Sequence, residues 1–175
     1  MAAVSASLGL ALLEKVLRII HQKKDFEGDP ERLNWLLDQA RAASVRLAGY
    51  ADEDISAFNA YMACRQLAKD TAPEREERKR AMDAALMTAI EVPLKIARSA
   101  MAGLDLCASA GGFVHAFVAA DLGAAAELLA GAVRATLLSV DFNLGQLSRE
   151  SQFYRDAVRE RDELRTQVLE LGKSL

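Results

Sequence analysis

From Pro30 to about Leu67 the chain carries one apolar stripe at helical spacing, and no other feature limits its fold as strongly. Leu33, Leu37, Ala40, Ser44, Leu47, Ala51, Phe58 and Met62 succeed one another at intervals of three, four or seven residues. Residues so spaced share a face only in an α-helix. Such a helix is about 55 Å long at 1.5 Å per residue unless it bends, and Gly49 is the candidate bend. Asp29 can cap it, and Pro30 suits the first helical position because no N–H is needed there. A stripe of that length demands long partners. Composition agrees: 51% of residues are hydrophobic but only 6% aromatic, so Ala and Leu carry the apolar count. That balance favours closely packed helices over a β-sandwich.

Four further blocks read as helices. The first runs from about Ala2 to Gln22, followed by a polar connection over residues 23–28. A third begins after Thr71, which with Glu74 forms a capping box. It has a charged start at residues 74–80 and an inner face of Met82, Leu86, Ala89 and Ile90. Pro93 falls inside it and predicts a kink, because proline removes a backbone hydrogen bond. The pattern resumes at Leu94, Ala97, Met101 and Leu104 and ends at Gly111-Gly112. The fourth starts at Asp121 and reaches about Leu144; its many Ala and Gly residues permit close packing and suit a buried central helix, often one at a subunit interface. The last runs from about Ser151 to Leu171, with Tyr154, Ala157, Arg161, Leu164, Val168 and Leu171 on one edge and Arg159 spaced to pair with Glu163. The expected architecture is a single all-α domain over 1–175, a bundle of about five long helices.

Charge and special residues narrow the function. A net charge of −3 argues against a general nucleic-acid binder. The apolar run 113–140 is interrupted by His115, Asp121, Glu127 and Arg134, so no membrane-spanning segment is expected. Residues 2–13 lack a positive flank and continue in helical register, which favours a helix over a targeting signal. Cys64 and Cys107, like His21 and His115, match no metal-ligand spacing, and the cysteines read as buried reduced thiols of a cytoplasmic protein.

One residue breaks the apolar stripe. With Leu47 as origin, Ala51, Asp54 and Phe58 lie within roughly 40° of it. A carboxylate on a core-facing position costs stability unless it is paired, hydrated or used. Asp52 and Glu53, its neighbours, point away toward solvent.

The chain resembles the cyclodeaminase/cyclohydrolase family of folate enzymes. The residues that carry the likeness are 54–62 (Asp-Ile-Ser-Ala-Phe-Asn-Ala-Tyr-Met), 67–71 (Leu-Ala-Lys-Asp-Thr), and the charged run 74–80. They continue with Glu91-Val92-Pro93-Leu94, Ala120-Asp121 before an Ala-rich helix, and Val140-Asp141-Phe142-Asn143-Leu144. Order and spacing match over about residues 1–147. The resemblance implies a helical homodimer that binds a tetrahydrofolate derivative and needs no cofactor beyond that substrate. The implied chemistry is cyclodeaminase ring closure with loss of ammonia, or cyclohydrolase opening of a methenyl bridge. A formiminotransferase is the implied partner. A carboxylate in a partly desolvated pocket can serve as general acid or base. The resemblance therefore points to Asp54 and Asp121 as catalytic acids, to Lys69 as stabiliser of charge or binder of the ligand's glutamate tail, and to Asn59, Asn143 and His115 as substrate contacts. It further implies that Asp54, Lys69 and Asp121 converge on one cavity of the dimer.

Each residue also has an ordinary reading. Asp54 can be an acid paired with Arg65 or Arg98. Asp121 can be an N-cap, Asn143 a C-terminal cap, Lys69 a solvated loop lysine and His115 a core histidine. Trp35 and the phenylalanines read as core or dimer packing. Three departures keep an alternative function open. Family members carry a Pro-rich, triple-Gly segment ahead of the first helix, absent before Met1. They also place polar residues where this chain has the nearly all-apolar stretch 115–120, and a Pro before the Lys where this chain has Ala68. The alternative is a non-catalytic or N-terminally truncated relative, acting as a folate-binding or helical interaction module.

Overall fold

A computed structural model describes residues 1–23, 26 and 28–171. It contains five helices: α1 (Ala2–His21), α2 (Pro30–Cys64), α3 (Ala72–Ala110), α4 (Ala116–Leu144) and α5 (Gln152–Leu171). A single 3-10 turn, Gly111–Phe113, links α3 to α4. The described residues contain no strand, and the expected all-α bundle of five long helices is what forms. Of the polar connection expected over 23–28, residues 24, 25 and 27 lie outside the described residues.

Capping chemistry explains the helix starts. The Asp29 carboxylate accepts the N–H groups of Glu31 at 2.9 Å and Arg32 at 3.3 Å, with Pro30 beginning α2. Thr71 and Glu74 close their capping box, the Thr71 N–H donating to Glu74 Oε2 at 2.8 Å. Ser151 Oγ accepts the Tyr154 N–H at 3.0 Å at the start of α5. The start of α4 differs from expectation. It lies at Ala116, not Asp121, because Val118 and Leu122 bury one turn apart and draw the preceding residues into the helix. Asp121 is therefore no N-cap; His115 holds that position without a side-chain hydrogen bond, and it is exposed rather than a core histidine.

α1, α2, α3 and α4 pack in cyclic order, α4 closing back on α1, and α5 lies across α3 and α4. Neighbours run antiparallel. Ala89 meets Asn143 and Gly103 meets Leu129, so α3 and α4 advance in opposite senses. Two glycines let the axes approach. A Cβ on Gly9 would lie 2.8 Å from Leu129 Cγ and 3.0 Å from the Ala125 carbonyl, and one on Gly103 would lie 2.9 Å from Leu10. Leu10, Leu13, Leu17, Leu104, Leu129 and Leu137 fill the centre. Cys107 is buried there, which pushes its thiol up to about 12, whereas Cys64 is only half-buried.

The stripe of α2 is core for only part of its length. Leu33, Leu37, Ala40 and Leu47 are buried, but Phe58 is 62% exposed and Met62 is also exposed. The register supplies the reason. With Glu14 of α1 against Arg41 of α2 at 3.0 Å, Ala2 lies level with about residue 53 of antiparallel α2. The described α1 thus leaves the last turns of α2 uncovered. The helix is continuous through Gly49. Trp35 is exposed too, with the Arg32 guanidinium 4.3 Å over its ring.

On α5, Arg159 pairs with Asp156 at 2.9 Å rather than with Glu163. The helix is tethered by Arg161 and Arg165, which both bond to the Asp141 carboxylate of α4, Arg165 at 2.6 Å. Burial pushes that carboxyl up, but the two guanidinium hydrogen bonds and charges outweigh it and hold it below its ordinary value of 3.8. By length and composition alone α4 is apolar enough to cross a bilayer, its most apolar 18-residue stretch having mean hydropathy 1.6, a property that buried core helices share. Its place between α1 and α3 accounts for one apolar face. The other face is not buried: it exposes Phe117, Leu138 and Phe142 among small residues, and among the described residues neither Gly123 nor Gly131 has a neighbour within 4 Å of its Cβ position.

Candidate active site

The uncovered end of α2 forms one wall of a cavity of about 830 Å³ with α3 and α4. Its apolar lining includes Ile55, Phe58, Met62, Leu138 and Phe142, all of them exposed. An exposed apolar patch of this size, folded into a concave surface, marks a binding site. Its polar groups are few: Asp54, Tyr61, Arg65, Ser139, Asn143 and Gln146.

Asp54 is half-buried on the side of α2 that faces Pro93 of α3 and Ser139 of α4. A second cavity of about 190 Å³ shares these three residues, so the carboxylate stands where two hollows meet. No hydrogen bond or ion pair reaches it among the described residues. The partners considered for it are placed otherwise: Arg98 bonds to Glu160 on α5, and Arg65 lines the larger cavity, with no ion pair among the described residues. Neighbouring Glu53 pairs with Lys95 at 3.1 Å, and Asp52 is exposed. A carboxylate that is neither solvated freely nor partnered is costly for stability alone.

The other polar groups are organised by the helices. The Tyr61 hydroxyl donates to Gln146 Oε1 at 2.9 Å, joining α2 to the residues just after α4. Asn143 Nδ2 donates to the Ala89 carbonyl at 2.7 Å, joining α4 to α3. Asn143 lies in the last turn of α4, but this bond runs across to α3, so its amide does not serve as a C-terminal cap. Tyr61 and Gln146 had no individual signal in the sequence, since only the tertiary fold sets them face to face. Phe142 and Leu138 did have one, an apolar pair one turn apart on a helix whose other face is core.

The proposed residues do not all gather. Asp54 and Asn143 share the cavity. Asn59 is exposed and turns away from it, one position past Phe58. Lys69 lies exposed in the α2–α3 loop, outside the lining, where its carbonyl accepts from Arg75 at 3.2 Å. Asp121 pairs with Lys15 of α1 at 2.8 Å. It stands 18 positions before Ser139 on α4, about 27 Å along the helix. His115 is farther still. Within one chain, then, Asp54, Lys69 and Asp121 form no common cavity.

A family profile described as formiminotransferase-cyclodeaminase matches residues 1–163. Formimidoyltransferase-cyclodeaminase of Sus scrofa is 29% identical over 166 residues, covering 91% of this chain and 29% of the relative. The Gallus gallus protein of the same name is 32% identical over 152 residues, 85% of this chain and 28% of the relative. The chain thus spans under a third of the length of these relatives. Methenyltetrahydrofolate cyclohydrolase of Methylorubrum extorquens is 29% identical over 142 residues, 81% of this chain and 68% of the relative. The crystal structure of formiminotetrahydrofolate cyclodeaminase from Thermotoga maritima superposes with a TM-score of 0.84 over 97% of this chain and 80% of that one. At 20% identity that likeness establishes the shared fold.

Proposed function

The chain belongs to the formiminotransferase-cyclodeaminase family, and on that premise we propose that its larger cavity holds a tetrahydrofolate one-carbon derivative for cyclodeaminase or cyclohydrolase chemistry. The observation that carries this reading is Asp54: an unpartnered, half-buried carboxylate at the edge of a mostly apolar cavity large enough for a bicyclic heterocycle and an aromatic ring. Phe58 and Phe142 offer flat faces to such rings. Arg65, a cation without an ion-pair partner among the described residues, takes the carboxylate of the tail. Asp54 moves the proton. In ring closure it protonates the departing nitrogen as ammonia leaves. In hydrolysis it takes a proton from the water that adds to the methenyl carbon. Neither step calls on a metal or redox cofactor.

The reading includes a homodimer. The exposed face of α4, with Phe117, Gly123, Gly131, Leu138 and Phe142, continues onto Val4 and Leu8 of α1. Small residues there permit close contact with a second α4. A two-fold axis at Gly131 would set residue 121 of a second copy level with residue 141, at the cavity rim. Asp121 would then join Asp54 from the other subunit. The setting is cytoplasmic, and a formiminotransferase, on the same or another polypeptide, supplies the formimino substrate.

The test is the absorbance of methenyltetrahydrofolate, with and without protein, beside ammonia release from formiminotetrahydrofolate. Turnover of either, lost in Asp54→Asn, supports the reading. Binding by calorimetry without turnover would instead identify the non-catalytic folate-binding alternative.

A further inference from the structure

We propose that Asn143 is a positioning residue: it fills the gap that Pro93 leaves in the backbone of α3 and thereby fixes the cavity wall opposite Asp54. The inference rests on the reading of this cavity as the reaction site.

Pro93 sits inside α3, which continues from Ala72 to Ala110. In an unbroken ladder the N–H of residue 93 would donate to the carbonyl of Ala89, four positions back. Proline has no N–H, so that carbonyl loses its helical partner. The site is part-buried, where an unpaired carbonyl is unfavourable. Asn143 supplies the missing donor from the neighbouring helix, with Nδ2 2.7 Å from the Ala89 oxygen. The substitution of a side-chain amide for a backbone N–H turns an intrahelical bond into an interhelical one.

Its position gives the bond a role beyond packing. Ala89, Pro93 and Asn143 all line the larger cavity, and Pro93 also lines the smaller one beside Asp54. The spacing between α3 and α4 at this level sets the cleft in which a ligand meets Asp54. The Asn143 Oδ1 accepts no hydrogen bond among the described residues, so the amide is held through its nitrogen alone.

A double-mutant cycle tests the coupling, because Pro93→Ala restores the backbone N–H and makes the Asn143 donor redundant. With methenyltetrahydrofolate as substrate, Asn143→Leu in the natural background is expected to lower kcat roughly ten- to a hundredfold, with KM held within about twofold. In the Pro93→Ala background the same replacement should change kcat by less than about threefold. Hydrogen exchange over residues 90–97 supplies a readout without substrate. Asn143→Leu should accelerate it with proline at 93 and not with alanine. Equal losses of kcat in both backgrounds would mean that the amide acts on the ligand directly, and would overturn the proposal. So would exchange that fails to respond to Asn143→Leu. If the natural chain turns over neither folate, the functional reading fails, and the exchange cycle still decides whether Asn143 fills the gap at Pro93.

Discussion

At the scale of single residues, the informative ones are those whose environment does not suit stability. Asp54 lies half-buried without a hydrogen bond among the described residues, while nearby Glu53 has Lys95 for company. Asp54→Asn keeps the shape and removes the charge. It is expected to reduce turnover about 10²–10⁴-fold, while the thermal midpoint stays the same or rises. A melting curve and the absorbance assay on one preparation check both. A lowered midpoint with unchanged turnover would return Asp54 to a structural role. Gly9 is the opposite kind of residue, constrained wholly by packing. Its added Cβ would meet Leu129 Cγ and the Ala125 carbonyl at 3.0 Å or less. Gly9→Ala is therefore expected to cost about 1–3 kcal/mol from overpacking, despite the better helix propensity of alanine. Urea denaturation measures the loss.

At the scale of elements, α5 shows how one carboxylate can hold a helix. The apolar edge of α5 is narrow, with only Ala157, Leu164 and Val168 buried. Asp141 adds two guanidinium bonds from Arg161 and Arg165. Because the carboxyl lies below its ordinary 3.8 in the folded chain, the unfolded chain binds more protons in acid. Its contribution is full above the ordinary value and fades as pH falls through the depressed folded value. Asp141→Asn is expected to lower the urea midpoint at pH 7, and the gap from the natural chain should narrow below pH of about 3.8. A gap that stays constant with pH would show that the carboxylate charge is not what holds α5. α4 is the second instructive element. Its alternation of buried Leu129, Val133 and Leu137 with open Gly123 and Gly131 explains a helix apolar enough for a bilayer yet packed in a bundle.

At the scale of the whole molecule, the separation of Asp54 from Asp121 decides what assembly must do. If the two acids meet only across a dimer, neither Asp54→Asn nor Asp121→Asn alone should turn over substrate. Mixed and refolded together, they should regain roughly a quarter of natural activity, because half the dimers carry one intact site of two. Failure to complement would remove Asp121 from the site. Sedimentation of Gly131→Glu, expected to shift toward monomer, tests the same interface from the other side.

Much of this was legible residue by residue. The spacing of Leu33 to Leu47 and the Asp29 and Thr71 caps are local signals. Each depends on contacts within a few positions of chain, which is why the five helices and their starts could be read directly. The exception, the start of α4, turned on Val118 finding a core. Whether a stripe is covered depends on where neighbouring helices lie, and periodicity is silent on that. Phe58 continues the pattern of Leu47 but faces a cavity, because α1 does not reach it. The company of Asp54 was likewise settled by the packing of three helices. Pro93, Ser139 and Asn143 approach it through space across separations of 39, 85 and 89 positions. Local sequence dictates helices and their faces; which faces meet, and which acid is left unpaired, emerges only when all the long-range contacts are satisfied at once.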